Sequence, residues 1–342
     1  MNPNASDPSV SPAAPHAGDD GNETWGVVLA AGEGARLARV THLLCGRETP
    51  KQFVAFSGDK TLLQQTVERM RRFVPYERMV VVVAVDWRRM ADEQLRPYPG
   101  VEVVSQPRNV GTGPGTMLPI AHIRARCPWA TIVMTPSDHD IPRVESFETA
   151  VQCALGISDQ VPAGLTLVGA EADQPVTDLG WIVPEFPAGQ ASETLAGRVT
   201  SFVEKPTAAV AKTLMEKGGL WNTLIVVGHI DAFWRHAEMH MKTQFERFRR
   251  YLLALQIGAS KDQTGALLEH LYLDMPVADF SRAILEKADG LGVVRMRDSG
   301  WSDCGTPARL LESLLRVGGS RPGLRDAIRV CRRAQDEAAA MS

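Results

Sequence analysis

The stretch Leu-Ala-Ala-Gly-Glu-Gly-Ala-Arg-Leu, residues 29–37, closes the first apolar run of the chain, residues 25–30. We predict that this run is a β-strand ending in a glycine-rich turn, which would bring backbone N–H groups and the Arg36 guanidinium to one point. Such a turn suits the triphosphate of a nucleotide. Two familiar nucleotide loops are excluded, because Leu37 stands where a dinucleotide fingerprint needs its third glycine and no Gly-Lys-Ser/Thr follows as in a P-loop. The turn is therefore a phosphate-binding device of another kind.

Short apolar runs rich in β-branched residues recur along the chain and alternate with amphipathic stretches. They predict strands at residues 25–30, 79–85, 101–104, 131–134, 165–170, 199–203, 224–227 and 291–296. The amphipathic stretches predict helices at residues 61–73, 117–125, 144–155, 208–217 and 280–287. The first of these helices carries the Thr61–Gln64 spacing of a capping box. The alternation up to residue 150 predicts an α/β fold with a mainly parallel, doubly wound sheet.

Composition limits the classes of partner. The chain has 342 residues, with 37 basic and 40 acidic side chains well mixed and a net charge of −3, which predicts neither a nucleic-acid nor a membrane partner. The five cysteines lack CxxC spacing and are typical of free thiols in a reducing compartment. No apolar run approaches the roughly 20 residues that span a bilayer. We therefore expect a cytoplasmic protein.

Three segments are expected. Residues 1–23 are rich in Pro, Asn, Asp and Ser and predict a disordered tail, residues 24–316 predict one catalytic domain, and residues 317–342 predict a helical extension. The charged amphipathic run at residues 325–340 could pack at the surface or contact a partner. The sequence leaves open whether the protein forms a homodimer.

Charged residues stand near several predicted strand ends. Lys51, in the run Pro-Lys-Gln-Phe, and Arg36 could neutralise phosphate oxygens, or both could be solvated surface charges. Asp138, in Pro-Ser-Asp-His, follows a strand at the sheet edge where α/β folds bind ligands. A carboxylate there is a natural Mg²⁺ ligand, although it could also cap the next helix. His139 is more typical of a structural hydrogen-bonding residue than of a base.

Three more clusters follow later strands. Asp303, in Trp-Ser-Asp-Cys-Gly-Thr, could meet Asp138 over one cation or cap a helix near Thr306. Glu204 and Lys205 could bind a sugar hydroxyl and a phosphate, or form an exposed turn before a proline. Asn222 offers a donor and an acceptor to a vicinal diol, yet asparagine is also common at turns for backbone reasons.

Taken in order, these runs resemble the sugar-1-phosphate nucleotidyltransferases, and most closely the mannose-1-phosphate guanylyltransferases. The matching runs are LAAGEGARL from residue 29, PKQF from 50, QPRNVGTGPG from 106, PSDH from 136, TDLGWIVP from 177, FVEKP from 202, WNT from 221 and WSDCGTP from 301. The resemblance implies a GT-A-like, Rossmann-type sheet, mixed and mainly parallel, with helices on both faces and an inserted sugar-binding region. It also implies that GTP and mannose 1-phosphate give GDP-mannose and pyrophosphate by Mg²⁺-assisted in-line displacement.

The resemblance assigns roles by motif. Arg36 and Lys51 would hold the triphosphate, and Asp138 and Asp303 would bind Mg²⁺. The nucleotide-binding residues would be Leu29, Ala30, Ala31, Gly32, Gly34, Gln106, Gly111, Thr112 and Gly113. The sugar phosphate would contact Gly180, Glu204, Lys205 and Asn222.

The chain also departs from the family pattern. The usual Gly-Gly is Ala31-Gly32 here, and Leu224 stands where many members carry glycine. These changes touch the base and sugar pockets more than the charged residues, so another pair such as glucose 1-phosphate with UTP or dTTP stays open. Two further alternatives are a non-catalytic nucleotide-sugar sensor and a glycosyltransferase that uses the Asp138-His139-Asp140 run.

Overall fold

Parallel strands form the first half of the sheet in the computed structural model, which describes residues 23–187, 195–317 and 323–340. They are β1 (Thr24–Leu29), β2 (Met79–Ala84), β3 (Glu102–Gln106) and β4 (Thr131–Pro136), in the order β3-β2-β1-β4. Strand β2 is an unbroken apolar run, as expected for a strand covered on both faces. Leu29 pairs with Pro136, so the glycine turn after β1 and the Asp138 loop after β4 start side by side.

The second half of the sheet is largely antiparallel. It contains β5 (Leu165–Glu171), β6 (Gly180–Glu185), β7 (Ala196–Glu204), β8 (Leu220–His229) and β9 (Gly292–Met296), in the order β8-β5-β9-β7-β6 beyond β4. Among the described residues of this half, β5 and β9 are the one pair that runs parallel, and β6 also pairs with β8. The prediction of a mixed α/β sheet is therefore confirmed, but "mainly parallel" is wrong for this half. Residues 186–195 between β6 and β7 are fewer than the dozen or so that a parallel crossover needs.

Helices cover both faces of the sheet, as predicted. The helices are α1 (Ala38–Cys45), α2 (Leu62–Met70), α3 (Arg88–Leu95), α4 (Thr112–Arg126), α5 (Val144–Ile157), α6 (Ala208–Glu216), α7 (Ile230–His240), α8 (Lys242–Gln256), α9 (Lys261–Tyr272), α10 (Pro307–Val317) and α11 (Leu324–Ala340). One core lies between the sheet and α4, α7 and α8, and a second lies between the opposite face and α2, α3 and α5. The helix predicted at residues 280–287 is a short π-helical segment, Ser281–Leu285.

The C-terminal helix packs next to the glycine turn. Leu324, Ala327 and Cys331 of α11 share a third apolar cluster with Leu37 and with Leu310 of α10. An ion pair between Arg39 of α1 and Glu337 of α11 adds to this contact. The predicted N-terminal tail lies outside the described residues up to residue 22. Among the helices of the described ranges, none combines the length and apolar character needed to cross a membrane.

Candidate active site

The glycine turn after β1 is closed by Gln52, a residue that sequence reasoning did not single out. The Gln52 side chain donates from Nε2 to the carbonyl oxygens of Ala30 (2.9 Å) and Gly32 (2.7 Å). Gly34 has a φ of 63°, and a Cβ built there would lie 3.3 Å from the backbone nitrogen of Lys51. A left-handed φ and this close approach both favour glycine. The Pro-Lys-Gln-Phe run thus braces the turn as well as supplying a cation.

Lys51 lies at the centre of the charged groups. Its side chain is only 8% exposed, and Nζ lies 3.2 Å from Asp138 Oδ2. Nζ also donates to the backbone carbonyls of Asp303 and of Cys304 (3.3 Å for the latter). The alternative that Lys51 is a solvated surface charge is therefore wrong. One ammonium group connects the loops that follow β4 and β9.

Lys51 contacts both predicted metal ligands, Asp138 through its carboxylate and Asp303 through its backbone carbonyl. Burial favours a raised pKa for the Asp138 carboxyl, but the Lys51 ammonium outweighs burial and the pKa lies below its ordinary value. Asp303 is 6% exposed in its side chain, and its Oδ1 accepts from the Gly305 N–H at 3.1 Å. Neither aspartate caps a helix: Thr306 Oγ1 accepts from the Arg309 N–H at the start of α10, and the N-cap position of α5 is Arg143.

His139 is held in a structural arrangement. The Trp301 indole donates from Nε1 to His139 Nδ1 at 3.2 Å, and His139 Nε2 lies 3.7 Å from Asp138 Oδ1. With Nδ1 accepting, the neutral ring carries its proton on Nε2, toward the aspartate. Burial lowers the pKa of His139 to about 4. The ring is therefore neutral near pH 7, in agreement with the structural role expected from the sequence.

A cavity of about 420 Å³ opens beside the glycine turn. It is lined by six of the predicted nucleotide-binding residues, Leu29, Ala31, Gly32, Gln106, Gly111 and Thr112. Ala30 and Gly113 are placed differently, because Ala30 is buried and the Gly113 N–H donates to the Ala278 carbonyl at 2.9 Å. Gly34 lines a second cavity of about 270 Å³ together with Arg36, Lys51 and Asp138. Asp138 lines both cavities and so marks their junction.

Asp279 also lines the larger cavity and was missed from the sequence. Its Oδ2 accepts from Thr112 Oγ1 at 3.1 Å, and its Oδ1 accepts from the Arg282 N–H at 3.0 Å. Asn109, which lines the same cavity, donates to Glu33 Oε1 at 3.1 Å and so ties the predicted base side to the glycine turn. Asp279 precedes the π-helical segment, where no strand-end pattern pointed to it.

The four residues predicted to bind the sugar phosphate lie together. Gly180 pairs with Glu204 across β6 and β7, and a Cβ at Gly180 would lie 2.5 Å from Glu204 Oε2 and 3.3 Å from Asn222 Cβ. Lys205 Nζ lies 3.8 Å from Glu204 Oε1. Asn222 uses Oδ1 to accept from the Leu224 N–H at 3.1 Å, so part of its role is in the backbone turn. Its Nδ2 lies 3.4 Å from Ser281 Oγ.

Glu204 is the most perturbed carboxyl group of this region. Its side chain is 8% exposed, and Oε2 is buried without a hydrogen-bond partner among the described residues. Burial, with Asp279 and Glu286 adding to it against the opposing Lys205, raises the pKa of Glu204 to about 7. A carboxyl group in this state can donate or accept a hydrogen bond near neutral pH.

Leu224 brings an apolar side chain into the larger cavity through a strained backbone. The ladder between β5 and β8 shifts at Val168/Gly169, and Leu224 in the resulting bulge has a φ of 55°. A left-handed φ is costly for a branched residue. The position where many family members carry glycine is therefore one whose backbone favours glycine.

Two further charged residues, Asp178 and Arg309, join the charged cluster around Arg36 and Asp303 and were not predicted. Asp178 pairs with both Arg36 and Arg309, and Arg309 reaches on to Asp303. Burial favours a raised pKa for Asp178, but the guanidinium groups of Arg309 and Arg36 outweigh it and the pKa lies below its ordinary value. Arg36 itself is 55% exposed and lies within reach of the smaller cavity.

A glycine turn at a strand end, two carboxylates, a buried lysine and two adjoining cavities thus lie together at one edge of the sheet. The chain matches the Nucleotidyl transferase family over residues 25–317, and it belongs to that family. The resemblance to sugar-1-phosphate nucleotidyltransferases that the motifs indicated is thereby confirmed.

Individual relatives agree with this assignment. ManC of Salmonella typhimurium strain LT2, a mannose-1-phosphate guanylyltransferase, is 30% identical over 298 residues, which cover 84% of this chain and 58% of that protein. The alginate biosynthesis protein AlgA of Pseudomonas aeruginosa is 27% identical over 283 residues, covering 82% of this chain and 56% of its own length. The chain thus spans somewhat more than half the length of the curated relatives it matches.

Solved structures show the same fold. A Thermus thermophilus protein described as a mannose-1-phosphate geranyltransferase aligns with a TM-score of 0.69 and 26% identity, covering 85% of this chain and 79% of that chain. The inositol-1-phosphate CTP transferase from T. maritima aligns at 14% identity with a TM-score of 0.51, over 91% of this chain and 96% of that chain. At 14% identity, the similarity to the T. maritima protein is a similarity of fold alone.

Proposed function

We propose that the protein joins GTP and mannose 1-phosphate to give GDP-mannose and pyrophosphate. The observation that carries the proposal is that Asp138 lines both cavities beside the glycine turn and pairs with Lys51, which lines the smaller one. The buried Glu204 carboxyl lies close enough to Asp279, on the wall of the larger cavity, for the Asp279 charge to help raise its pKa. Family membership and the relatives named as mannose-1-phosphate guanylyltransferases support the choice of substrates.

The charges suit a reaction between two anions. The sugar phosphate must approach the α-phosphate, and at about 4 Å in a partly dry site each pair of charges repels by roughly 4 kcal/mol. Arg36 and Lys51 would oppose this repulsion on the triphosphate side, and Lys205 on the sugar side. They would also stabilise the charge that builds up on the departing pyrophosphate.

No general base is required in this scheme. The attacking phosphate oxygen is already ionised near pH 7. The one histidine beside Asp138, His139, accepts a hydrogen bond from Trp301 and serves to orient the loop. We therefore propose a direct in-line displacement, and quench-flow trapping of a nucleotidylated protein would contradict it.

The donor atoms fit a magnesium ion that is completed by substrate. The described residues contain no group of three or more potential metal-binding side chains, but Mg²⁺ in phosphoryl-transfer sites needs only one or two carboxylates plus phosphate oxygens. Asp303 Oδ1 accepts from the Gly305 N–H and lies 2.7 Å from Arg309 Nε, whereas the one close donor to Oδ2 is Arg309 Nη2 at 3.0 Å. We propose that Asp138 and Asp303 Oδ2 hold the ion, which supplies positive charge to the phosphate oxygens when bound.

The same reaction with another base or sugar is the second candidate. Leu224 supports it, because its side chain lines the larger cavity at a position where many family members carry glycine. A glycosyltransferase interpretation of Asp138-His139-Asp140 gains no support, because Asp140 lines neither cavity and its carboxylate accepts from Ser313.

A pyrophosphate-release assay tests the proposal. The purified chain is incubated with Mg²⁺ over a grid of nucleoside triphosphates and sugar 1-phosphates. We expect turnover with GTP and mannose 1-phosphate, and Lys51→Met should remove it. Turnover only with another pair would select the second candidate. A blank grid, combined with nucleotide binding in calorimetry, would instead identify a sensor.

A further inference from the structure

Arg309 connects two carboxylates, those of Asp178 and Asp303, beside the proposed triphosphate site. Its Nη1 and Nη2 donate to Asp178 Oδ1 (2.9 Å) and Oδ2 (2.8 Å) in a bidentate pair. Its Nη2 also donates to Asp303 Oδ2 at 3.0 Å, and its Nε lies 2.7 Å from Asp303 Oδ1. One guanidinium on α10 is thus shared between the segment that leads into β6 and the turn that follows β9.

Gly305 leaves the space in which these groups converge. A Cβ built there would lie 2.2 Å from Asp303 Oδ2, 2.7 Å from Arg309 Nη2 and 2.8 Å from Arg36 Nη2. Any other residue at this position would therefore have to displace these charged side-chain ends. The carboxylate and the two guanidinium groups therefore meet over a single glycine.

We propose that Arg309 is a positioning residue that fixes the carboxylate of Asp303, and that Asp178 holds Arg309 in place and occupies Arg36 until a triphosphate takes it. The inference rests on the proposed function of the same site. It adds two residues to which the family resemblance gave no role.

Asp303 depends on Arg309 for its orientation. It lies in a turn, next to Cys304 with a φ of 46°, and the backbone carbonyls of both residues already accept from Lys51. The carboxylate itself is bound only by Arg309 and the Gly305 N–H within 3.5 Å among the described residues, since Arg36 Nη2 lies 3.9 Å away. Without Arg309, a nearly buried carboxylate would lose its main counter-ion and its fixed rotamer.

Asp178 affects both triphosphate binding and the support of Asp303, because two arginines, Arg36 and Arg309, share its carboxylate. Arg309 binds it with two hydrogen bonds, whereas Arg36 comes from an exposed position on the glycine turn. A triphosphate can therefore draw Arg36 away while Asp178 stays on Arg309. Removing the charge of Asp178 should tighten triphosphate binding and loosen the support of Asp303 at the same time.

The test measures Mn²⁺ binding to the protein–GTP mixture by EPR, alongside turnover. Arg309→Gln should weaken Mn²⁺ binding about 10- to 100-fold, the usual cost of losing a partner of a metal ligand. Turnover should fall similarly at low metal and recover at high metal, and Arg309→Lys should recover part of it. Asp178→Asn should tighten GTP up to about fivefold, as one partly exposed charge pair allows, and lower kcat.

Arg316→Gln is the matched control, because Arg316 is also on α10 but donates to the Gly300 carbonyl and pairs with Glu312. It should leave both measurements unchanged. Folded Arg309→Gln with unchanged Mn²⁺ binding and metal dependence would overturn the inference and leave the proposed function standing. If Arg309→Gln fails to fold, the same two measurements on Arg309→Lys decide. A parent protein that shows neither Mn²⁺–GTP binding nor turnover would overturn both.

Discussion

The raised pKa of Glu204 makes a quantitative prediction about stability. Its pKa rises from 4.5 to about 7 in the folded protein, because the carboxyl is buried beside Asp279 and Glu286, with Lys205 and Arg282 only partly compensating. A shift of this size corresponds to about 3 kcal/mol between the two protonation states. We predict that Glu204→Gln, which cannot ionise, is more stable than the parent protein at high pH.

The sign follows from the direction of the shift. Below pH 4.5 the group is protonated in both the folded and the unfolded state, so it has no effect on the pH dependence of unfolding. Between that pH and about 7 the folded state keeps the proton that the unfolded state has lost, so stability falls as the pH rises. Above about pH 7 the parent protein bears the full free-energy cost of keeping the ionised Glu204 carboxylate buried. From about pH 5.5 to about pH 8.5 the advantage of Glu204→Gln should grow by about 2 kcal/mol.

Urea unfolding of both proteins at these two pH values measures the effect. The difference between variant and parent is the relevant quantity, because other groups titrate equally in both. Glu216→Gln, at an exposed position of α6, is the control and should give the same difference at both pH values. An advantage of Glu204→Gln that stays constant, or shrinks as the pH rises, would refute the reasoning. It would mean that Glu204 is ionised in the folded protein throughout.

Three further predictions concern single side chains. Asp138→Asn or Asp303→Asn should abolish pyrophosphate release while thermal unfolding stays cooperative, and activity surviving either change would rule out the metal assignment. Leu224→Gly should relieve about 1 kcal/mol of left-handed backbone strain and reduce discrimination among sugar 1-phosphates, measured as ratios of kcat/KM; unchanged ratios would place the side chain outside substrate contact. Thr61→Ala should lower the free energy of unfolding by about 1 kcal/mol in urea, since Thr61 caps α2 in a complete capping box, and Thr207→Ala at the simpler cap of α6 gives the comparison.

Local signals predicted the first half of the molecule well. Each of the strands predicted up to residue 134 overlaps a strand of the structure, and the Thr61–Gln64 capping box forms as expected. The strand predicted at residues 79–85 is β2, whose unbroken apolar run is that of a strand covered on both faces. Strand β6 was missed because Pro184 interrupts its apolar run; it lies at a bulge in the ladder with β7.

Residues that act through partners far away in sequence could not be found in the same way. Arg309 and Asp178 are 131 residues apart, and neither follows an apolar run at the position where a strand end was predicted. Gln52 lay within a recognised motif, yet its contacts to Ala30 and Gly32 depend on how two loops fold back on each other. Composition and periodicity carry no information on such contacts.

The two proposed substrate regions, around Asp138 and around Glu204, differed in how far the sequence could predict them, and the reason lies in the sheet geometry. Parallel strands end at one edge, so Arg36 and Asp138 had to lie close together once β1 and β4 were neighbours. The grouping around Glu204 instead depends on the register of antiparallel strands, in which Gly180 pairs with Glu204 and Trp181 with Trp221. A slip of one residue would turn Glu204 to the other face, and nothing in the local sequence fixes that register. The grouping of Gly180, Glu204 and Asn222 could therefore come only from the family resemblance, whereas the phosphate side followed from the strands themselves.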